Sequence, residues 1–269
     1  MEQRIGFIGC GKMAQAMIQG ILASQIVSPN QIMVSAKTKE TLEYAKETFG
    51  VKTAFTNREV AANSDIVFLA IKPNLYSEVI EEITNEVGAE TIVITIAAGI
   101  SLDFIRTSFG KEIKAVRSMP NTPSLVGEGM SVICANDKVT PEDLQKVTRL
   151  FEGFGRAEII EERLMDAVPA VSGSSPAYVY MFIEALADGA VMQGVPRNQA
   201  YRLAAQAVLG AAKMVLETGQ HPGELKDNVC TPGGATIKAV AVLEKHNFRS
   251  SVISAMEACT KRSKELAQD

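Results

Sequence analysis

Apolar and polar residues alternate in two different ways along the chain. Up to about residue 162, continuous apolar runs such as residues 66–71 and 91–96 alternate with segments that have helical spacing, such as residues 39–48. Such runs are typical of parallel strands that are buried on both faces. Shorter strands are predicted at residues 4–8, 31–34, 51–54, 114–116, 130–134 and 157–160. The alternation predicts an α/β domain of the Rossmann type at residues 1–162.

From residue 163 onwards the strand pattern is absent. Helix patterns follow at residues 164–168, 178–192, 198–216, 235–243 and 251–267, and we expect Ser175 to be the N-cap in front of Pro176. Several apolar helices with no sheet to cover leave more apolar surface than one chain can bury. We therefore predict an all-α dimerisation domain at residues 163–269 and a homo-oligomer that is at least a dimer.

The composition narrows the class of protein. With 46% hydrophobic and 22% charged residues the chain is globular, and its net charge of -4 gives no electrostatic reason to expect nucleic acid. No apolar run approaches the roughly 20 residues of a membrane span, and no signal peptide precedes the first strand. The cysteines are far apart and only two histidines are present. We therefore expect no metal site and a reducing, cytoplasmic location.

A glycine-rich turn follows the first predicted strand and opens a helix. Its pattern is G-x-G-x-x-A, from Gly9 to Ala14. In this fingerprint the first glycine makes the turn, the second lets a pyrophosphate approach the backbone, and the alanine allows close packing of helix on strand. An ordinary tight turn is the alternative, but the position at the first strand favours a dinucleotide. The cofactor candidates here are Gly9, Gly11, Lys12 and Met13.

The end of the second predicted strand bears on the choice of cofactor. A protein that binds the free ribose 2′-OH of NAD usually has an Asp or Glu here, but the sequence has Ser35 followed by Lys37 and Lys39. A hydroxyl with two lysines suits a 2′-phosphate, so we predict NADPH, with NADH possible. Alternatively, Thr38 is only the N-cap of the next helix and the lysines are solvated.

Ligands of open α/β sheets bind at the carboxyl ends of the strands. The residues that directly follow the other predicted strands are therefore candidates for a cofactor rim. Each could be only a turn, but they share one topological position. These candidates are Asn57, Ala70, Lys72, Pro73, Ala97, Ala98 and Asn121.

Residues 226–238 form a polar, glycine-rich stretch between two helical patterns. Pro232, Gly233 and Gly234 require a turn, because glycine reaches positive φ without a Cβ clash. A turn that enters a helix presents free N–H groups and the positive end of the helix dipole, which suits a carboxylate or a phosphate. Taken alone, the stretch favours a plain helix start with Thr236 as its cap.

A cofactor domain followed by a helical domain suggests hydride transfer, in which the protein supplies placement and a proton. His221 beside a turn and His246 at a helix end are poorly placed as general acids or bases. A cyclic imine needs no strong acid, because its nitrogen is itself basic. The Thr236 hydroxyl could hydrogen-bond that nitrogen while the N–H groups of residues 233–236 hold a carboxylate. These features point to an imino-acid reductase.

The chain resembles the pyrroline-5-carboxylate reductase family. The family signature runs as L-x-x-x-V-C-T-P-G-G-A-T from Leu225 to Thr236 and continues with Ala239, Val240, Leu243 and Glu244, and every position agrees. The resemblance spans nearly the whole chain, since similar segments also lie at residues 6–13, 70–73, 97–99, 121–123, 172–178 and 185–189.

The resemblance implies a Rossmann domain with a helical dimerisation domain, and active sites built across the dimer interface. It also implies NAD(P)H-dependent reduction of 1-pyrroline-5-carboxylate to L-proline, the last step of proline biosynthesis. Thr236 would then be the catalytic residue at the substrate nitrogen, and Asn228 would reach the cofactor, from the partner chain. Ser35, Asn57, Lys72 and Ala98 match cofactor contacts of the family. The substrate carboxylate would be bound by Cys230, Thr231, Gly233, Gly234, Ala235 and Thr236.

Two departures from the family pattern and two rival functions are visible. Ser175 replaces a usual glycine, and Gly219 stands where some members have an acidic residue, so fine specificity is open while the reaction is not. A β-hydroxyacid dehydrogenase would carry a catalytic Lys at residues 177–185, which contain none. A non-catalytic NADP-binding sensor would use the helical dimer to reach a partner protein and would oxidise no NADPH.

Overall fold

The structure, a computed structural model, describes residues 1–266. The chain forms two compact units. The sheet unit comprises residues 1–173 together with the segment that starts at Cys259, and the helical unit comprises residues 174–258. The predicted boundary at residues 162 and 163 falls after the last described strand and before the start of the helical unit.

The sheet unit contains one mixed sheet that is mostly parallel. Its described strands are β1 (Ile5–Ile8), β2 (Ile32–Ser35), β3 (Lys52–Ala54), β4 (Ile66–Leu69), β5 (Ile92–Thr95), β6 (Lys114–Met119), β7 (Gly129–Ala135) and β8 (Gly155–Ile159). Their order is β3-β2-β1-β4-β5-β6-β7-β8. Strands β1 to β6 are parallel, and β7 is antiparallel to β6. The order reverses between β1 and β4, the switch point at which Rossmann folds bind dinucleotides, so the predicted fold class is confirmed.

Helices cover both faces of this sheet. They are α1 (Lys12–Ala23), α2 (Lys39–Phe49), α3 (Asn57–Ala62), α4 (Tyr76–Ile83), α5 (Leu102–Phe109) and α6 (Pro141–Glu152). Alternate residues of β4 enter two cores, Phe68 with α1, α2 and α6 on one face and Leu69 with α3, α4 and α5 on the other. This double burial explains why β4 is a continuous apolar run in the sequence. On the first face the ring of Phe68 stacks on Phe7, with centroids 4.6 Å apart.

The remaining helices are α7 (Ser175–Met192), α8 (Arg197–Thr218), α9 (Pro222–Val229), α10 (Ala235–Lys245) and α11 (Phe248–Leu266). The helices α7 and α8 pack along each other. Small residues permit this close approach, since Ala187, Ala200 and Ala204 are buried. No helix among residues 1–266 is long and apolar enough to cross a membrane. The predicted end of the last helix at residue 267 lies outside the described residues.

Several predicted boundaries were wrong for identifiable reasons. Strand β6 continues beyond residue 116 because the polar Arg117 and Ser118 are buried through hydrogen bonds, at 2.8 Å each, to Asp166 and to the backbone of Thr95. Residues 164–167 belong to the 3₁₀ helix Glu162–Ala167, Val168 is its C-cap, and the π-helical turn Pro169–Gly173 follows. Pro169 has no N–H for an α-helical hydrogen bond to residue 165.

Two helix starts also differ from prediction. The N-cap of α7 is Ser174 rather than Ser175, and Pro176 occupies the second position of the helix, where its missing N–H is tolerated. Thr236 is likewise not the cap of α10, because Gly234 takes that position. Since α9 continues to Val229, the loop before α10 is confined to residues 230–234, shorter than the stretch 226–238 expected from the sequence.

Candidate functional site

The turn between β1 and α1 has two glycines with different roles. Gly9 has a φ of +93°, and a Cβ there would lie 2.4 Å from the carbonyl oxygen of Ala70, so the fold itself requires glycine. Gly11 is the N-cap of α1 with an ordinary φ of −73°, and a Cβ there would meet no atom within 4 Å. The fold does not need a glycine at this position, but a pyrophosphate that contacts the backbone does. The turn therefore fits a dinucleotide.

The side chains beside these glycines leave the turn electrostatically favourable for phosphate. Burial raises the pKa of the Cys10 thiol, which therefore stays neutral and adds no negative charge. Gln15 Nε2 donates a hydrogen bond of 2.9 Å to the backbone oxygen of Cys10, which helps to fix the turn. Lys12 is exposed on the first turn of α1, and Met13 packs partly buried against the core.

At the end of β2, a chain of hydrogen bonds links two cofactor candidates. Ser35 Oγ donates to Asn57 Oδ1 at 2.7 Å, and Asn57 Nδ2 donates to Glu82 Oε2 at 2.7 Å. The two predicted residues therefore lie together at the carboxyl edge, Ser35 as the last residue of β2 and Asn57 as the first residue of α3, which follows β3. Lys37 is exposed beside them. Thr38 caps α2 by accepting from the Thr41 N–H, which confirms that part of the alternative and leaves the lysine free to bind a phosphate.

The ends of β4 and β5 are joined by a buried tyrosine. The Tyr76 hydroxyl donates to the Leu69 carbonyl at 2.7 Å and lies 2.8 Å from Thr95 Oγ1. Thr95 Oγ1 in turn accepts from the Ala97 N–H at 3.3 Å. Burial raises the pKa of Tyr76 to about 12, so its hydroxyl remains protonated and can donate. This network fixes the start of the loop that presents Ala98.

The other rim candidates lie at the same edge with different environments. Ala70 directly follows β4, and the exposed Lys72 and Pro73 lead into a short 3₁₀ helix. Asn121, after β6, is buried, and both ends of its amide are used within the chain. Its Nδ2 donates to the Ser172 carbonyl at 2.9 Å, and its Oδ1 accepts from the Met130 N–H at 2.8 Å. The Asn121 side chain therefore ties the end of β6 to the start of β7 and to residue 172.

In the helical unit, the loop of residues 230–234 is shaped by two glycines. Gly233 has a φ of +69°, and a Cβ on Gly234 would lie 2.4 Å from Thr231 Oγ1. The Gly234 N–H donates to the Thr231 carbonyl at 3.0 Å, which closes the turn. Gly234 is thus the N-cap of α10, and Thr236 is exposed in the first turn of that helix. Asn228 is exposed on the preceding helix α9.

Six of the described helices have N-caps of two kinds. In α2, α3, α5 and α6 a hydroxyl accepts a hydrogen bond from an N–H group of the first turn; the four caps are Thr38, Thr56, Ser101 and Thr140. Helices α1 and α10 begin instead at Gly11 and Gly234, which have no side chain with which to cap them. Their first N–H groups are thus left for an anion. These two helix starts are the sites where the sequence predicts a pyrophosphate and a carboxylate.

Comparison with known proteins agrees with this arrangement. The chain is 50% identical over 268 residues to a pyrroline-5-carboxylate reductase of Escherichia coli K12, covering 100% of both proteins. It superposes on a pyrroline-5-carboxylate reductase structure from Coxiella burnetii with a TM-score of 0.93, at 36% identity and 99% coverage of both chains. A pyrroline carboxylate reductase from Plasmodium falciparum with NADP bound gives a TM-score of 0.88 at 33% identity, covering 99% of this chain and 98% of that one.

The chain belongs to the pyrroline-5-carboxylate reductase family. The family model for pyrroline-5-carboxylate reductase dimerisation matches residues 162–266. A second model, described as NADP oxidoreductase, coenzyme F420-dependent, matches residues 4–99. The resemblance seen in the sequence is thereby confirmed.

The dimerisation model matches helices whose large apolar side chains are exposed in a single chain. Among the described residues of α7 and α8, Tyr180, Met181 and Leu203 are 59%, 69% and 63% exposed. Surfaces of this kind in a folded protein mark an interface. This agrees with the predicted homo-oligomer.

Sequence reasoning missed a buried arginine and its two carboxylate partners close to the cofactor rim. The Arg117 side chain on β6 is only 9% exposed and pairs with Asp166 at 2.8 Å and with Glu162 at 3.5 Å. The predicted strand at residues 114–116 ends one residue before Arg117, because a charged residue interrupts the apolar run there. The one signal was length, because the predicted strand at residues 114–116 is shorter than the apolar runs at residues 66–71 and 91–96.

Proposed function

We propose that this protein is a pyrroline-5-carboxylate reductase that reduces 1-pyrroline-5-carboxylate to L-proline with NADPH, with NADH as a possible substitute. The proposal is carried by the two helices that begin at glycine, α1 at the end of β1 and α10 within the family signature. One offers its N–H groups to a pyrophosphate and the other to a carboxylate. The relatives and the NADP-bound neighbour support the same reaction.

In this proposal, the carboxyl edge of the sheet holds the cofactor. The backbone at Gly11 contacts the pyrophosphate, and Ser35 and Lys37 lie at the adenosine ribose and its 2′-phosphate. The second half of the sheet, from β4 to β6, then receives the nicotinamide half. The remaining proposed cofactor residues are Gly9, Lys12, Met13, Asn57, Ala70, Lys72, Pro73, Ala97, Ala98, Asn121 and, on α9, Asn228.

The loop before α10 binds the substrate. Its carboxylate accepts hydrogen bonds from the free N–H groups at the start of α10, where the helix dipole also favours a negative charge. The proposed substrate residues are Cys230, Thr231, Gly233, Gly234, Ala235 and Thr236. A neutral or differently placed acid group would lose this recognition.

Thr236 is the proposed catalytic residue. The imine nitrogen is basic and binds as the protonated iminium, which donates its hydrogen bond to Thr236 Oγ1. This bond orients the ring and stabilises the nitrogen as its bonding changes. Bound at the sheet edge, NADPH supplies the hydride that the imine carbon takes up. No stronger acid is needed, which agrees with the positions of His221 as the N-cap of α9 and His246 as the C-cap of α10.

We further propose that residues 1–162 carry cofactor binding, that residues 163–269 carry substrate binding and dimerisation, and that the enzyme works in the cytoplasm. The scattered cysteines favour a reducing compartment. Cell fractionation followed by activity measurement tests the location.

The decisive experiment follows NADPH absorbance with purified protein and 1-pyrroline-5-carboxylate, and identifies proline among the products. Turnover is expected with this imine, and no reduction of NADP⁺ is expected with a β-hydroxy acid, since α7 (Ser175–Met192) has no lysine for that chemistry. NADPH binding without oxidation by any imine would contradict the proposal and favour a sensor.

A further inference from the structure

The loop between β5 and α5, residues 96–101, is held at both of its ends. At the start, Thr95 Oγ1 accepts from the Ala97 N–H at 3.3 Å, and Ser118 Oγ donates to the Thr95 carbonyl at 2.8 Å. At the end, Glu162 Oε1 accepts from the Leu102 N–H at 2.8 Å. Between these points Ala98 is exposed. The loop therefore owes its shape to side chains from outside it.

Arg117 fixes the carboxylate that holds the far end of this loop. It lies on β6, beside β5, and its guanidinium spans Glu162 at 3.5 Å and Asp166 at 2.8 Å. Arg117 and Asp166 line one small cleft together with residues 97–99 of the loop. A single cation thus connects β6, the segment around Glu162 and the start of α5. We call Arg117, Glu162 and Asp166 the arginine clamp.

Stability alone does not account for this clamp. Taking the guanidinium of Arg117 out of water costs free energy, and water screens its attraction to Glu162 and Asp166, which are 36% and 50% exposed. Arg117 faces the same side of the sheet as Ala115, which lies in an apolar core. An aliphatic residue at this position would be buried without this desolvation cost. The placement beneath a rim loop suggests a use in binding.

The topology indicates which part of the cofactor this loop meets. The strand order reverses between β1 and β4, so β1 to β3 serve the adenosine half of a dinucleotide and β4 to β6 serve the other half. The loop follows β5, in the middle of the second half. We infer that Arg117, acting through Glu162, is a positioning residue that holds residues 96–101 against the nicotinamide half of the cofactor. The inference rests on the proposed function for the identity of that cofactor.

Binding of two ligands without substrate tests this inference. In Arg117→Met the Kd of NADPH should rise about tenfold, while the Kd of adenosine 2′,5′-bisphosphate, which has no nicotinamide, should change by less than about twofold. Titration calorimetry measures both. A merely structural role would weaken both ligands or neither, and either result would overturn the inference.

Two further variants test the charge of Glu162 and the cation at position 117 separately. Glu162→Gln keeps an oxygen for the Leu102 N–H but removes the charge opposite Arg117, so NADPH affinity should fall by about threefold. Arg117→Lys keeps the cation and should restore part of the affinity. If Arg117→Met does not fold, these two variants decide. Unchanged NADPH affinity in both would contradict the inference.

Arg4→Met is the matched control. Arg4 pairs with Asp65 at 2.7 Å at the amino end of the sheet, so its loss should change neither ligand. Wild-type binding of NADPH without imine reduction would refute the proposed function and leave the clamp intact. Turnover by the wild type with an unselective Arg117→Met would refute the clamp and leave the function intact. A wild type that binds no NADPH would refute both.

Discussion

The sheet unit and the helical unit differ in how far they bury their large apolar side chains. In the sheet unit, large side chains such as Phe7, Phe68 and Tyr76 are fully buried in two cores. In the described part of the helical unit the buried apolar residues are alanines, while residues such as Met181 and Leu203 remain mostly exposed. The sheet unit is thus complete within one chain. The helical unit contains the surface of a core whose other side must come from a second copy.

The two halves of the proposed reaction therefore depend on assembly to different degrees. In the proposal, cofactor binding draws mainly on strands and turns of the sheet unit, which one chain stabilises, and Asn228 on α9 is its one contact from the helical unit. Substrate binding needs the turn before α10, and that helix belongs to the unit with the unpartnered faces. Perturbing the interface should therefore cost more activity than perturbing any single contact at the sheet edge.

The largest effect is expected when a charge is placed in the exposed apolar surface of α8. Leu203→Asp should shift the protein from dimer to monomer, raising the dimer Kd more than about 100-fold, because an unpaired carboxylate would be buried in the interface. Activity should fall in parallel. Sedimentation velocity and NADPH oxidation measure both. Tyr44→Asp is the control, since Tyr44 is a 48% exposed aromatic residue of the sheet unit. If Leu203→Asp remained dimeric, the exposed apolar surface of α8 would not be the dimer interface.

The next largest effect concerns the catalytic role of Thr236. Thr236→Ala should lower kcat/KM for the imine about 100-fold, because the ring nitrogen loses its hydrogen-bond partner. Thr236→Ser keeps the hydroxyl and should retain most of the activity. The Kd of NADPH should stay unchanged in both variants, because this contact belongs to substrate binding. Full kcat/KM in the alanine variant would show that the hydroxyl does not serve the nitrogen.

A smaller effect should separate binding from folding within one turn. Gly11→Ala should raise the Kd of NADPH by roughly 30-fold, about 2 kcal/mol, because its methyl group fills the place of the pyrophosphate. Thermal unfolding should shift little, since a Cβ there meets no atom within 4 Å. Gly9→Ala should instead destabilise the fold by about 2 kcal/mol or more, because φ is positive and the Ala70 carbonyl is close. Equal unfolding shifts in both variants would contradict this division.

The fold was predictable where local pattern and burial agree. The run Ile66–Leu69 is apolar throughout because both faces of β4 are covered, and the hydroxyl caps Thr38 and Ser101 start helices as their sequence positions predict. Prediction failed where distant partners override the local pattern. Arg117 extends β6 only because Asp166 and Glu162 neutralise it, and neither partner is near in the sequence.

The site was predictable to a similar depth. The glycine pattern at Gly9 and Gly11 indicated the cofactor turn, because the fingerprint is local. It could not show that the fold requires a glycine at position 9 but not at position 11. That difference depends on the atoms around each Cα, and a Cβ on Gly11 would meet none within 4 Å. Similarly, the sequence left Thr236 as a possible cap. The structure assigns the cap to Gly234, so neither the first N–H groups of α10 nor the Thr236 hydroxyl is used for capping, which is compatible with the proposed substrate contacts.

The smallest effect sharpens the account of cofactor choice at the edge of the sheet unit. Lys37→Asp should lower the preference for NADPH over NADH about tenfold, because an exposed lysine that contacts a 2′-phosphate is replaced by a repelling carboxylate. The ratio of kcat/KM values for the two cofactors measures this preference. Lys52→Asp makes the same charge change at the amino end of β3, away from the carboxyl edge, and should leave the ratio unchanged. Because exposed charges are screened, the effect should shrink with added salt. An unchanged ratio in Lys37→Asp would show that Lys37 contacts only solvent and not the 2′-phosphate. Ser35 and Asn57 would then be the remaining ribose contacts.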